Sequence, residues 1–431
     1  MVDHRGHKCS EGRLAPDRGA TISGFVCLKC GREYGPAGAC YTCEDCGAEG
    51  ILDVAYDYSA VADRIDRESF EASGVASMWR YLPLLPVGSA ASASPLRTGW
   101  TPLYHAHGLL GLDRLYIKDD SRNPTASLKD RATAVAMARA VEEGVSAVAA
   151  ASTGNAGCSL AGFAAAQGLP CYIFVPASAP RPKVAQLLVY GATVFAVDGS
   201  YDDAFDVAMK AIERFGWYNR CCAVNPFLVE GKKTVAFEVA EQLGFEAPDK
   251  VFVSVGDGCI ASGVAKGFRE FVELGLMDRM PTIVGVQAEG CSPMVSAFES
   301  GEELRPVEAC TCADSIAVGH PRNWRKALKG IRASEGAMMT VSDEEILAAI
   351  PYLARGTGVF GEPAGVAAFA GLQKAVRDGS VGSGETVVVL MTGSGLKDTE
   401  SAMRSAGKPI PVGANVDEVE RALGQRDARE D

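Results

Sequence analysis

Three segments of this chain place chemistry-bearing residues where a strand-like run hands over to a helical one. In Asn123-Pro-Thr-Ala-Ser-Leu-Lys129-Asp-Arg131 a lysine stands between a strand-like run and an alanine-rich helical pattern. The first N–H groups of a helix lack intrahelical partners and carry partial positive charge, so a cation there is disfavoured. With partial desolvation, that field moves an amine toward its neutral form, the state a Schiff-base lysine requires. The bland counterpart is a structural lysine at a helix start, and the segment alone is compatible with both. Ser152-Thr153-Gly154-Asn155-Ala156-Gly157 follows the apolar run 146–151 and opens a helix. Its N–H groups can hold an anion such as a substrate carboxylate, although a generic strand-to-helix turn has the same pattern.

Val255-Gly256-Asp257-Gly258-Cys259-Ile260 follows the strand-like run 250–255 and opens another helix, the arrangement that cradles a phosphate. Met391-Thr392-Gly-Ser-Gly395-Leu-Lys-Asp398 ends a further strand. The Gly256 loop also fits the dinucleotide pattern G-x-G-x-x-A, with Ala261 in third place and Glu289 at the end of the next strand. A nicotinamide site therefore competes for it. Against that stand its position deep in the second half of the chain and the frequency of chance matches to a lone motif.

A different chemistry belongs to the first sixty residues. Cys27-Leu-Lys-Cys30 and Cys43-Glu-Asp-Cys46-Gly are two C-x-x-C knuckles twelve residues apart. Such knuckles set four thiolates tetrahedrally around one Zn²⁺, and the glycines after Cys30 and Cys46 permit the tight turns involved. A closed four-thiolate site staples a small ribbon and leaves no open coordination position, so its role is structural. Cys40 could replace Cys43, and Cys9 with His4 and His7 forms a weaker alternative set.

The elements that must position these groups alternate. Strand-like and helical runs follow one another at 146–151 and 156–167, 171–175 and 181–190, 193–197 and 202–215, and 250–255 and 259–273; strand-like runs recur at 282–287 and 386–391. That order predicts parallel sheets flanked by helices, split into two α/β lobes with the site between them. We divide the chain into an N-terminal segment with the ribbon (1–58), a linker and the start of the large lobe (59–119), a small lobe (120–225), a large lobe (226–406) and a C-terminal tail (407–431). The stretch 144–180 has no charged residue, yet its Ser-Thr-Gly-Asn and Gly-Leu-Pro punctuation breaks it into globular lengths.

Composition narrows the function classes. With 47% hydrophobic and 22% charged residues over 431 positions, the chain can bury a large core. Lys+Arg 42 against Asp+Glu 54 gives a net charge of −12, which advertises no basic surface for nucleic acid or anionic lipid. The opening Met-Val-Asp-His-Arg-Gly-His-Lys lacks the apolar core of a secretory signal, so we expect a cytoplasmic protein without membrane partners.

Taken in order, Pro-Thr-Ala-Ser-Leu-Lys-Asp-Arg, Ser-Thr-Gly-Asn-Ala, the Gly256 loop, Gly361-Glu-Pro-Ala-Gly365 and Thr-Gly-Ser-Gly-Leu-Lys-Asp resemble threonine synthase and its relatives among the fold-type-II pyridoxal-phosphate enzymes. The resemblance runs from about residue 20 to 405 and includes the ribbon. It implies a tryptophan-synthase-β-like fold, pyridoxal 5'-phosphate on Lys129, a small amino-acid substrate and a homodimer. Asn155 would meet the cofactor's phenolic oxygen; Gly256, Asp257, Gly258, Cys259 and Ile260 its phosphate; Thr392 its ring nitrogen. Ser152, Thr153, Gly154 and Ala156 would hold the substrate carboxylate. His320, in a segment matching a family loop near the site, reads more simply as an exposed loop residue.

One departure stands out. Threonine synthases usually read Asn-Ser-x-Asn-Pro-x-Arg where this chain has Cys222-Ala223-Val-Asn-Pro-Phe-Leu228. The polar anchors of the substrate phosphate are thus replaced by Cys222, Ala223 and Leu228, leaving Lys232, Lys233 or Arg131 to compensate. The implied reaction is conversion of O-phosphohomoserine and water to threonine and phosphate. The alternatives are a threonine or serine ammonia-lyase, a β-replacement enzyme such as cysteate synthase, and, from another class, a nicotinamide-binding or non-catalytic α/β protein.

Overall fold

The computed structural model describes residues 21–37, 41–179, 181–222 and 224–430; Cys9, His4, His7, Cys40 and Ala223 lie outside them. The chain opens as an antiparallel ribbon of β1 (Ile22–Cys27), β2 (Glu33–Tyr34) and β3 (Leu52–Tyr56), in the order β2-β1-β3. Alternation in β3 buries Leu52, Val54 and Tyr56 on one face. From β1, Phe25 packs edge-on against Phe227, with centroids 5.7 Å apart. Two short helices follow, α1 (Tyr58–Ala62) and α2 (Arg67–Glu71), capped by the side chains of Asp57 and Asp66. The stretch up to residue 100 is no loose tether, since Met78, Tyr81, Leu84 and Leu85 are fully buried.

After β4 (Leu103–His105), β5 (Arg114–Asp119) and α3 (Lys129–Glu142), the chain builds a small sheet with its helices. These elements are β6 (Val148–Ala151), α4 (Asn155–Gln167), β7 (Cys171–Pro176), α5 (Arg181–Val189), β8 (Thr193–Val197), α6 (Tyr201–Phe215) and β9 (Tyr218–Asn219). The sheet is wholly parallel, in the order β8-β7-β6-β9. The uncharged stretch 144–180 becomes β6, α4 and β7, and among the described residues no helix is long and apolar enough to cross a membrane.

The remaining elements return to a larger sheet: α7 (Phe227–Gln242), β10 (Lys250–Ser254), α8 (Cys259–Glu273), β11 (Thr282–Ala288), α9 (Pro293–Ser300), α10 (Trp324–Ala333), β12 (Ala337–Val341), α11 (Asp343–Thr357), α12 (Pro363–Arg377) and β13 (Thr386–Met391), then α13 (Thr399–Ala406) and α14 (Val416–Glu430). Its order is β12-β11-β10-β13-β5-β4, parallel except where β4 runs against β5. Val251, Phe252, Val253 and Val387 to Leu390 are all buried because helices cover both faces, which is why these strands read as unbroken apolar runs.

Candidate active site

Parallel strands deliver their C-terminal ends to one rim, and helix N-termini begin there. A cavity of about 720 Å³ opens at that rim, where β6, β10 and β13 end and α3, α4 and α8 begin. Lys129, Ser152, Thr153, Gly154, Asn155 and Ala156 line it, and so do Gly256, Asp257, Gly258, Cys259, Ile260 and Thr392. Residues from four separate stretches of sequence thus meet in one cleft.

Lys129 is the first residue of α3 and is half-buried in the cavity wall. The preceding loop is pinned to the end of β13: Leu128 N–H donates to the Thr392 carbonyl at 2.9 Å, and Ser394 N–H to the Ala126 carbonyl at 3.1 Å. Ala126 holds φ +64°, a backbone shape that L side chains adopt only under constraint. The Asp130 carboxylate accepts from Thr125 N–H at 2.6 Å and tightens the turn from inside. Burial, and after it the nearby Lys232 ammonium, hold the Lys129 amine below the usual lysine range. A lysine shifted in that direction is more readily deprotonated, and so more readily nucleophilic, than an exposed one.

The loop from Gly256 to Ile260 presents the first-turn N–H groups of α8, which have no partner inside the helix. Gly256 and Gly258 are required there: a Cβ on Gly256 would stand 2.9 Å from Ile316 Cα, and Gly258 has φ +91° with its Cβ position 3.0 Å from Ala327 Cβ. The result is a side-chain-free nest of N–H groups that fits a phosphate. Asp257 does not oppose an anion there. Its buried carboxylate is engaged by Arg322 N–H at 2.7 Å and by the Cys259 thiol at 3.0 Å, and burial pushes its pKa up.

Asn155 begins α4 and donates from Nδ2 to Glu362 Oε1 at 2.7 Å. Glu362 immediately precedes α12 within Gly361-Glu-Pro-Ala-Gly365, and burial pushes its carboxyl up despite Lys397 and Lys129 nearby. A Cβ on Gly393 would strike this carboxylate, so the glycine after Thr392 is what lets Glu362 and Asn155 reach the cavity. A lysine, a side-chain amide, a hydroxyl at Thr392 and a nest of N–H groups around one cavity fit pyridoxal phosphate. Glu289, the acidic residue a dinucleotide site would use, is exposed and does not line the cavity.

On another wall lie Arg220, Cys222 and Lys232. Lys232 Nζ donates to Cys222 Sγ at 3.0 Å, and Arg220 Nη1 approaches the same sulfur at 3.7 Å. Arg220 is held from behind by the Thr133 hydroxyl at 3.0 and 3.1 Å. Of the three replaced anchor positions only Cys222 reaches the cavity among the described residues, because Leu228 is fully buried in the core. Arg131 and Lys233 are not compensating anchors. Arg131 is committed to Asp120 and Glu238, and Lys233 to Glu230 and Glu270, all fully buried. Two further groups face the cavity: the carboxylate Glu362 of Gly361-Glu-Pro-Ala-Gly365, and the cation Arg220, a lone arginine before Cys221 that carries no spacing signal in the sequence. His320 is exposed at the cavity mouth.

The four knuckle cysteines come together as well: one sulfur from each of Cys27, Cys30, Cys43 and Cys46 lies within 4.8 Å of the others. Gly31 and Gly47 turn with φ +77° and +59°, as the tight knuckles require. Asp53 on β3 then ties the ribbon to the body through Lys266 at 2.9 Å and Lys326 at 2.6 Å.

The family model described as "Pyridoxal-phosphate dependent enzyme" matches residues 95–393. A threonine synthase of Methanocaldococcus jannaschii is 39% identical over 92% of this chain and 98% of its own length. One from Methanosarcina acetivorans is 41% identical over the same shares, and one from Mycobacterium tuberculosis 39% over 77% and 92%. Among solved structures, processed threonine deaminase isoform 2 of Solanum lycopersicum superposes with a TM-score of 0.60 at 22% identity, over 71% of this chain and 87% of that one. Maize serine racemase gives 0.58 at 19% identity, over 76% and 93%, so both speak for the fold.

Proposed function

This chain belongs to the pyridoxal-phosphate dependent enzymes, in the threonine synthase family, and we propose that it converts O-phosphohomoserine and water to threonine and phosphate. The observation that carries the reading is the near-complete alignment with threonine synthases, together with one cavity that gathers Lys129, Asn155, the Gly256 loop and Thr392. Lys129 would hold the cofactor covalently, with the 256–260 amides on its phosphate, Asn155 on its phenolic oxygen and Thr392 at its ring nitrogen. When bound, the cofactor supplies an electron sink for carbanions at the substrate's α-carbon. The hydroxyl of Thr392 is neutral and stabilises positive charge on the ring less than a carboxylate would, which favours elimination and replacement over transamination.

The chain's own groups divide the remaining work. The turn at Ser152, Thr153, Gly154 and Ala156 binds the substrate carboxylate at the N-terminus of α4. Lys129 Nζ, held toward its neutral form, moves the protons: off the α- and β-carbons as phosphate leaves, onto the γ-carbon whose bond to oxygen has broken, and back to the α-carbon once the water oxygen has joined the β-carbon. Lys232 and Arg220 receive the phosphate group, in place of the anchors this chain lacks. In the ribbon, Cys27, Cys30, Cys43 and Cys46 would bind one structural Zn²⁺, for which the four-sulfur donor set is the characteristic one.

A second reading, an ammonia-lyase acting on threonine or serine, is favoured by one observation: the family's arginine position is Leu228, buried in the core. The two separate in a side-by-side assay of O-phosphohomoserine, O-phosphoserine, threonine and serine with phosphate, ammonia and amino-acid products measured. Phosphate and threonine from O-phosphohomoserine alone are expected; ammonia and an oxo acid from threonine or serine, without phosphate, would overturn the synthase reading.

A further inference from the structure

One hydrogen bond in the cavity joins residues 207 positions apart. Asn155, at the start of α4, donates from Nδ2 to Glu362 Oε1 at 2.7 Å, and both side chains line the cavity. A side-chain amide carries two N–H donors on its nitrogen and an acceptor on its oxygen, whereas an ionised carboxylate only accepts. Two oxygens at that distance would repel, so Glu362 selects the amide orientation that turns nitrogen toward it. The second N–H of Nδ2 has the Ser315 hydroxyl at 3.4 Å, too long for a good hydrogen bond, and is available to a ligand. We propose that Glu362 is a positioning residue: it holds the Asn155 amide so that an N–H, and not the carbonyl oxygen, meets the phenolic oxygen of pyridoxal phosphate. This rests on the cofactor reading and deepens it, and it does not depend on which amino acid is the substrate.

Glu362 is itself fixed by backbone. Its N–H donates to the Gly393 carbonyl at 3.1 Å, Gly361 and Ser394 pair as an antiparallel bridge, and Gly395 N–H donates to the Phe360 carbonyl at 3.0 Å. Pro363 then starts α12, and Gly365 N–H returns to the Glu362 carbonyl at 2.9 Å. A Cβ on Gly393 would also lie 3.3 Å from Asn155 Nδ2, so the glycine clears both partners of the bond. The segment before α12 is thereby zipped to the residues that follow Thr392. The hydroxyl assigned to the ring nitrogen and the carboxylate that aims the amide belong to one backbone unit.

An N–H aimed at the phenolic oxygen stabilises its anionic form and lowers its proton affinity; a carbonyl oxygen in that place would do the reverse. Lys397, Lys129 and Asp314 also bear on Glu362 by charge. Charge and orientation nevertheless separate by sign. Removing a negative charge near the ring makes the phenolic oxygen more acidic, whereas losing the N–H makes it more basic.

The test titrates the full chain with pyridoxal 5'-phosphate and reads the pH midpoint of the bound cofactor's visible band together with its dissociation constant. Asn155→Ala should raise the midpoint by about one to two pH units and weaken binding at least about tenfold. Glu362→Asp keeps the charge and withdraws the acceptor by one methylene; it and Glu362→Ala should each move both quantities in the same direction. Placed in the Asn155→Ala background, either Glu362 substitution should add less than about 0.3 pH unit and less than about twofold in affinity, because it acts through Asn155. Equal shifts in both backgrounds, a lowered midpoint in Glu362→Ala, or both Glu362 variants at the parent's midpoint and affinity would each overturn the proposal and leave the cofactor reading standing. A parent chain that takes up no pyridoxal 5'-phosphate would overturn both.

Discussion

Replacing Lys232 by methionine isolates the anion subsite. The substitution keeps the length of the stem and removes the charge from a side chain that is 1% exposed. No buried charge is stranded, because Cys222 can take up a proton, and Arg220 keeps its bonds to Thr133 and to the Lys129 carbonyl at 3.3 Å. Fold stability should therefore change little. A charge-assisted hydrogen bond to a phosphate contributes about 1.5–3 kcal/mol, which at about 1.4 kcal/mol per factor of ten predicts a KM for O-phosphohomoserine raised ~10- to 150-fold. If the contact strengthens as the phosphate departs, kcat falls as well. Steady-state kinetics with O-phosphohomoserine, inhibition by inorganic phosphate, and binding of unphosphorylated serine measure the three quantities that matter. The first two should weaken and the third should not. A KM within about threefold of the parent, or an equal loss for serine, would refute the assignment of Lys232 as the phosphate anchor.

Lys129→Ala should bind no cofactor that borohydride can fix to the chain, as judged by peptide mapping; a label fixed at Lys118 or Lys232 would contradict the central role given to Lys129. Gly256→Ala adds a methyl 2.9 Å from Ile316 Cα and 3.3 Å from the Ser315 carbonyl, so the loop must move, and overpacking of about 1–3 kcal/mol predicts cofactor affinity reduced at least about tenfold in a spectroscopic titration. Cys43→Ser should lower zinc from one per chain, measured by elemental analysis, and reduce the melting temperature before it alters KM; full zinc retention would point to Cys40 or the Cys9 group as ligands.

The parts of the site that could be read from sequence are those carried by a single loop. Lys129, the turn at Asn155, the Gly256 nest and the Cys27 to Cys46 knuckles each declare themselves through local spacing, since glycine and proline report backbone shape directly. The alternation of runs likewise yields parallel strands β6, β7, β8, β10, β11 and β13; all but the exposed edge strand β8 are buried along nearly their whole length, which makes them apolar runs. Strand β12, Ala-Met-Met-Thr-Val, gives no strand signal because only Met338 and Val341 in it are buried. The anion wall was least legible. Whether Leu228 or Lys232 faces the cavity depends on the rotation of α7, which no local pattern announces.

That rotation is set by charge. Every residue of α7 from Phe227 to Ala240 is buried, so the helix has no polar face to orient it. Partners from different elements do so instead. Glu230 accepts from Tyr56 of the ribbon at 3.0 Å and from Lys266 of α8 at 2.7 Å, and Lys233 meets Glu270 of α8 at 2.8 Å. Thr234 receives Arg131 of α3 at 2.9 Å, and Glu238 receives Lys118 of β5 at 2.7 Å and Thr101 N–H at 3.1 Å. At Gly231 a Cβ would lie 2.1 Å from the Arg131 carbonyl, so α7 and α3 touch backbone to backbone at one point only glycine permits. A slip of one residue turns a helix by about 100° and would strand these buried charges, at about 3–5 kcal/mol for each broken pair. Such pairs add little net stability over apolar packing, but they exclude the wrong rotations. With α7 locked in this way, Lys232 is the lysine that enters the cavity, its neighbour Lys233 is turned into the core, and the ribbon residue Tyr56 becomes one of the contacts that aims the proposed phosphate anchor.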